Sequence, residues 1–271
     1  MLRRALALAA YLLLTLAAAV MLMPLVWLLA AASKEPGDMF SYLFFSPRPG
    51  LYNFRQLFSK IEFFQFFLNS VFIASTTAIG QLFFSSLGGF ALARYRFRGQ
   101  RLIMILMLGM LMIPSQVLLA PLYEMIYRLG LMDSYLGLLL PTAVSVFGTF
   151  LFRQAMLQIP DDLLQAGRMD GCSEFQIYWH IAVPLVKPMV GAFCLVSFLG
   201  AWNSFLWPQL VLHSQDRLTL PVALNQMVGI YSQDYGTLMA GTLLSILPVM
   251  IFFFVFQRSF IRGLTAGAVK G

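Results

Sequence analysis

Residues 159–188 read IPDDLLQAGRMDGCSEFQIYWHIAVPLVKP, a long polar stretch set between apolar runs on either side. Pro160 suits the first position of a helix, where its missing N–H is no loss. Asp161 and Asp162 then fall in the first turn, where carboxylates face the positive end of the helix dipole. The helix can run to Asp170, and Gly171 supplies a residue that tolerates a left-handed C-cap. Ser173 and Gln176 have capping-box spacing, which starts a second helix through Tyr178 and His180. Pro184 and Pro188 mark the turn back into an apolar helix. Two short helices around a small-residue corner make a docking knob between two apolar helices.

Everything flanking the knob reads as membrane. The chain of 271 residues is 60% hydrophobic and 11% charged, with mean hydropathy +0.80. Apolar runs of about twenty residues recur along it, the length a helix needs to cross a bilayer. The net charge of +7 raises a nucleic-acid reading, but the cations stand singly or in short clusters between apolar runs, which excludes it. Cys172 and Cys194 form no disulfide framework, and His180 and His213 have no partners at metal-ligand spacing, so no metal site is expected.

Working outward from the knob, six spans are expected, near 5–32, 67–93, 102–127, 136–156, 185–212 and 237–260. The first competes with a cleaved signal peptide ending at Ala30-Ala31-Ala32; its length and Trp27 favour an uncleaved helix. Two external segments carry the turn residues, 34–66 and 214–236, the former rich in interfacial aromatics such as Tyr42 and Phe54. This divides the chain into 1–66, a membrane domain 67–262 and a Gly-rich tail 263–271. With both ends inside, Arg3, Arg4, Arg94, Arg96, Arg98, Arg101, Arg153, Arg168, Lys187, Arg258, Arg262 and Lys270 are internal. Only Lys34, Arg48, Arg55, Lys60, Arg128 and Arg217 are external, and this asymmetry places the knob in the cytoplasm.

Polar residues at membrane depth usually face a protein interior or a water-filled path. Asn69, Gln116, Trp202 and Asn203 are the candidates for a solute pathway, each competing with a plain interhelical hydrogen-bonding role. Pro114, Pro121, Pro141 and Pro208 permit bends in their spans.

The knob also resembles a known pattern. Gln165-Ala166-Gly167, three residues, Gly171, nine residues and Ile181-Ala182-Val183-Pro184 is similar to the Glu-Ala-Ala loop of ABC-importer permeases. Gln165 replaces the family Glu, so an ion pair made by that Glu does not carry over. Trp202-Asn203-Ser204-Phe205-Leu206-Trp207-Pro208, Leu218-Thr219-Leu220-Pro221 and Gly263-Leu264-Thr265-Ala266-Gly267 resemble carbohydrate-importer permeases of the maltose-permease-G type. Asn69-Ser70 and Tyr95-Arg96-Phe97-Arg98-Gly99 match the same family.

The resemblance implies an all-α, multi-pass inner-membrane protein, a six-span type I permease with a cytoplasmic helical coupling loop. Its implied partners are a second homologous permease, an ABC ATPase dimer, a periplasmic or lipid-anchored solute-binding protein and membrane lipid. ATP and Mg would be bound by the ATPase, leaving this chain with no cofactor and no catalytic residue. No Gly-x-x-x-x-Gly-Lys-Ser/Thr loop is present in the sequence. The coupling residues implied are Asp161, Asp162, Gln165, Ala166, Gly167, Asp170, Gly171 and Pro184. The motifs mark the family and not the solute; sugars, polyols and glycerol-phosphate derivatives all fit. An ion- or proton-coupled carrier and a structural membrane subunit stand as alternatives. The first should show intramembrane carboxylates beyond Glu124, and the second has no use for a knob of this spacing.

Overall fold

The computed structural model describes residues 2–230 and 234–266, and within them every regular element is helical. In chain order these are α1 (Leu2–Ser33), α2 (Tyr52–Lys60), α3 (Phe63–Arg94), α4 (Gln100–Leu111), α5 (Leu119–Arg128), α6 (Tyr135–Thr142) and α7 (Val146–Met156). Then come α8 (Asp161–Met169), α9 (Glu174–Leu185), α10 (Lys187–Trp202), α11 (Leu206–Val211), α12 (Leu220–Ile230) and α13 (Tyr235–Ala266). The Gly-rich tail expected from 263 falls outside the described residues beyond 266, and α13 runs to that limit.

α1, α3 and α13 hold unbroken stretches long and apolar enough to cross a membrane, Leu6–Ser33, Phe63–Arg94 and Tyr235–Arg258. The remaining spans are bent rather than straight, which brings the total to as many as six. The expected span 102–127, in which Pro114 permits a bend, is α4 and Ser115–Arg128 at 99° to each other, broken at Pro114, whose ring-fixed φ (−61°) and extended ψ (128°) lead into a short 3₁₀ turn. The fourth span bends by 43° just after Pro141, and Ser145 caps the new start by accepting the Gly148 N–H. The expected fifth span, 185–212, begins at Lys187 and stops at Trp202, resuming as the short α11.

Two compact units divide the chain, Met1–Gln65 with Ala223–Pro248, and Phe66–Val222 with Val249–Gly271. The division by sequence did not foresee that 223–248 joins the N-terminal stretch. In the first unit, buried Asn53 of α2 donates both amide hydrogens, to the Ala32 and Lys34 carbonyls at 2.9 and 2.8 Å, and so ties α2 to the end of α1. From Leu6 to Val26 α1 is exposed and predominantly apolar, as a surface turned to lipid or to another helix would be.

In the second unit α3 packs against α7 through Gly88 and Gly89. A Cβ at Gly89 would stand 2.6 Å from Phe152 Cβ and 2.8 Å from the Arg153 nitrogen, so only glycine lets these backbones approach so closely. α3 also satisfies the backbone freed at the α6–α7 break. Gln81 Nε2 donates to the Thr142 carbonyl at 2.8 Å, while Ser85 Oγ donates to the Ser145 carbonyl and accepts its N–H. That is the condition under which a broken helix survives at membrane depth.

Candidate functional site

α8 and α9 fold back on each other as a helical hairpin, and local sequence dictates most of it. Asp161 and Asp162 occupy the first turn of α8; Pro160 stands one position earlier than expected, as the extended N-cap. The helix ends at Met169, and Gly171 takes φ +81°. Its N–H bonds the Arg168 carbonyl and the Cys172 N–H bonds the Gly167 carbonyl, the paired bonds of a Schellman C-cap. Ser173 and Gln176 form the expected capping box in both directions. α9 then widens into a π turn over Ile177–Ala182 ahead of Pro184, which has no N–H to give and would crowd the His180 carbonyl in a regular helix. Beyond Leu185 the chain turns by 85° into α10.

The hairpin has its own apolar core, in which Leu164, Ile177, Tyr178, Ala182 and Val186 pack with Phe90 of α3 and Met156 of α7. It is therefore seated on the spans, not tethered to them by loops. Three groups of polar contacts lock the seat. The Tyr178 hydroxyl and Ser86 Oγ are 2.7 Å apart in the core. Arg94, at the end of α3 and only 7% exposed, donates to Asp161 Oδ1 at 2.6 Å, to the Ile159 carbonyl at 2.6 Å and to the Met156 carbonyl. It thereby caps the C-terminus of α7 and, through the Asp161 carboxylate, ties the first turn of α8 to α3 with one guanidinium. Glu174 receives Arg168 in a forked pair at 2.7 and 3.1 Å and the Tyr95 hydroxyl at 2.6 Å. Arg168 first, and then Tyr95, hold the Glu174 carboxyl below its usual range, while burial and the Glu174 contact push Tyr95 up to about 12. The trio keeps its charges across the neutral range.

The opposite face of the hairpin is open. Asp161, Asp162, Gln165, Ala166, Asp170 and Gly171 are exposed, whereas Gly167 is buried against Ile181 and Ile177. Beside them stand Leu163, Met169 (83% exposed), Phe175 and Trp179 (51% exposed). Large apolar side chains left bare on a polar hairpin are the kind of surface that meets another protein or a membrane.

The four pathway candidates separate. Gln116 and Asn203 line one space of about 570 Å³, together with Ser204 and Trp207. Asn69 is buried, donating to the Asp216 and Leu218 carbonyls at 2.9 Å each, as a strut for that loop. Trp202 is 4% exposed and stacks on Phe198, edge-on to Phe67. Sequence reasoning missed Arg94 as a fastener and Trp207 as a wall. The available signal for Arg94 was a cation at the very end of its span, facing an acidic first turn across the chain.

The binding-protein-dependent transport system inner membrane component family matches residues 85–266. An arabinooligosaccharides transport system permease protein of Bacillus subtilis (strain 168) is 44% identical over 209 residues, covering 77% of this chain and 74% of that protein. A lactose transport system permease protein of Rhizobium radiobacter is 32% identical over 260 residues, 96% of this chain and 95% of the other. Among solved structures, a chain of a bacterial ABC transporter involved in import of the acidic polysaccharide alginate superposes with TM-score 0.84 over 95% of this chain and 97% of its own. At 22% identity that likeness speaks for the fold alone.

Proposed function

The chain belongs to the family of binding-protein-dependent transport system inner membrane components, and from that premise we propose that its hairpin is the joint through which a separate ATPase drives sugar import. In this reading two permeases, this chain and a homologous one, line the path. Two copies of a cytoplasmic ATPase grip the hairpins, and a periplasmic or lipid-anchored binding protein delivers the solute. ATP and Mg belong to the ATPase. Both termini of this chain and its hairpin lie in the cytoplasm.

One observation carries the reading: a hairpin with a bare apolar face on one side is bolted to α3 and α7 on the other by Arg94, Tyr178 and the Tyr95–Glu174–Arg168 trio. A push on the exposed face reaches the spans as rigid-body motion, because a packed core cannot absorb it by deforming. Asp161, Asp162, Gln165, Ala166, Asp170 and Gly171 face the ATPase. Gly167 sets the packing of α8 on α9, and Pro184 sets the elbow. Closure of the ATPase on ATP opens the path outward, and hydrolysis resets it.

The saccharide assignment leans on relatives whose named solutes are arabinose oligosaccharides and lactose. Short arabinose oligomers are the first solutes to try. The test is a cysteine at Ala166 or Gly171 in inside-out vesicles from cells expressing the whole operon. Crosslinks to a nucleotide-binding subunit, with labelling by an impermeant maleimide, are the expected result. A hairpin that is labelled only from the periplasmic side would end the proposal.

A further inference from the structure

Three helix interruptions meet at one place in the second unit: the 3₁₀ turn at Ser115–Leu118, the end of α6 at Thr142, and the gap between α10 and α11 at Asn203–Phe205. Interrupted helices at membrane depth persist where a cavity or a ligand takes up the polar groups they free. Two spaces adjoin here, of about 570 and 240 Å³, and Thr142, Gly200, Ser204 and Trp207 line both.

Beside the smaller space Gln81 donates to the Thr142 carbonyl and accepts from Ser197 at 2.7 Å. Beside the larger one, hydrogen-bonding capacity is left over. Asn203 spends one amide hydrogen on the Leu199 carbonyl, and Gln116 Oε1 has only a long 3.5 Å contact from Ser115. The Trp207 indole N–H is shut off from solvent and has no acceptor in the structure. A buried donor without an acceptor is costly unless another state or a ligand satisfies it. No Lys, Arg, Asp or Glu among the described residues lines either space.

Resting on the sugar-importer reading above, we propose that this cavity is the chain's own solute half-site, with Trp207 turning its indole N–H out of its buried seat to donate to a hydroxyl of an uncharged saccharide unit. Gln116, Asn203 and Ser204 supply neutral donors and acceptors around it, and the Trp207 ring offers an apolar wall. A uronate carboxylate or a phosphate would meet no countercharge from this chain and is disfavoured. This separates the chain's solute from the acidic polysaccharide carried by its structural neighbour. It also moves the aromatic contact from Trp202, which is packed away, to Trp207.

The test uses the assembled importer in proteoliposomes with its binding protein, arabinotriose as the neutral probe and trigalacturonate as the anionic one. Arabinotriose is expected to be imported and to protect a Ser204→Cys thiol from a hydrophilic maleimide, and trigalacturonate to do neither. With Trp207→Phe added, which keeps a ring and removes the N–H, protection should need about three- to tenfold more arabinotriose, the worth of one hydrogen bond. Gln116→Leu serves as a second variant with the same expected shift. Equal protection by the uronate, unchanged protection in both variants, or import of arabinotriose without protection overturns the half-site alone. A wild-type assembly that imports neither sugar overturns the assignment of arabinose oligomers as its solute, and the half-site argued for them with it.

Discussion

Arg94 shows how one residue can hold several elements together. Its side chain is almost wholly buried, yet Asp161, its only carboxylate partner among the described residues, is 74% exposed, so the ion pair by itself is a weak fastening. What makes the site strong is that the same group satisfies the Met156 and Ile159 carbonyls where α7 ends. Arg94→Ala leaves the Ile159 carbonyl without its donor and the Met156 carbonyl with the Ile159 N–H alone, and should destabilise the chain by about 2 kcal/mol. Asp161→Asn should cost on the order of 1 kcal/mol, because both carbonyl bonds survive. Thermal unfolding of the purified importer in detergent checks the order; an Arg94→Ala protein that melts with the wild type contradicts it. Glycine choice divides by the same logic. Gly171 needs its left-handed φ with open space around it, while Gly89 needs the absence of a side chain where α3 meets α7.

Among elements, the hairpin was the most legible in sequence and the broken spans the least. Caps are local devices: Asp161 and Asp162 in a first turn, Gly171 at a C-cap and Ser173 with Gln176 in a capping box all depend on residues within a few positions, so spacing alone exposes them. The strut made by Asn69 depends on partners far along the chain, and no periodicity encodes it. A polar residue in an apolar run looks the same whether it braces a loop, as Asn69 does, or faces a cavity, as Asn203 does. The loop after α5 holds another tertiary device. Asp133, at φ +53°, accepts the Ser214 hydroxyl and the Ser214 and His213 N–H groups and pairs with Arg217, latching that loop to the segment after α11. Those bonds, the Ser214 hydroxyl first, lower its pKa from 3.8 to about 2. A depressed carboxylate stabilises above its unfolded pKa, so the latch contributes on the order of 2 kcal/mol at neutral pH. That contribution drains away as pH falls from about 4 to about 2. Hydrogen exchange at 211–218 should rise through that window in the wild type and be raised already at pH 6 in Asp133→Asn. A flat pH profile in the wild type would show that Asp133 is not the latch.

At the scale of the whole molecule, the chain looks like part of something larger. α1 is bare and apolar, and the hairpin presents Met169, Phe175 and Trp179 to the outside. Beside the space at Gln116 the Trp207 indole N–H has no acceptor. Membrane lipid suffices for the first of these; under the proposals above an ATPase covers the second and a solute answers the third. Composition made the membrane legible, and motif spacing made the family legible, but neither reveals that the hairpin and the spans share one core through Phe90, Met156 and Tyr178. That shared core is the central physical claim, since it turns a push on a small polar hairpin into movement of α3 and α7. The direct measurement is uptake and ATP hydrolysis on one reconstituted assembly carrying Met169→Ala with Trp179→Ala, which strips the exposed face and leaves the seat intact. The account predicts that hydrolysis stops responding to solute-loaded binding protein and that uptake falls with it. Uptake and stimulated hydrolysis equal to the wild type would contradict it.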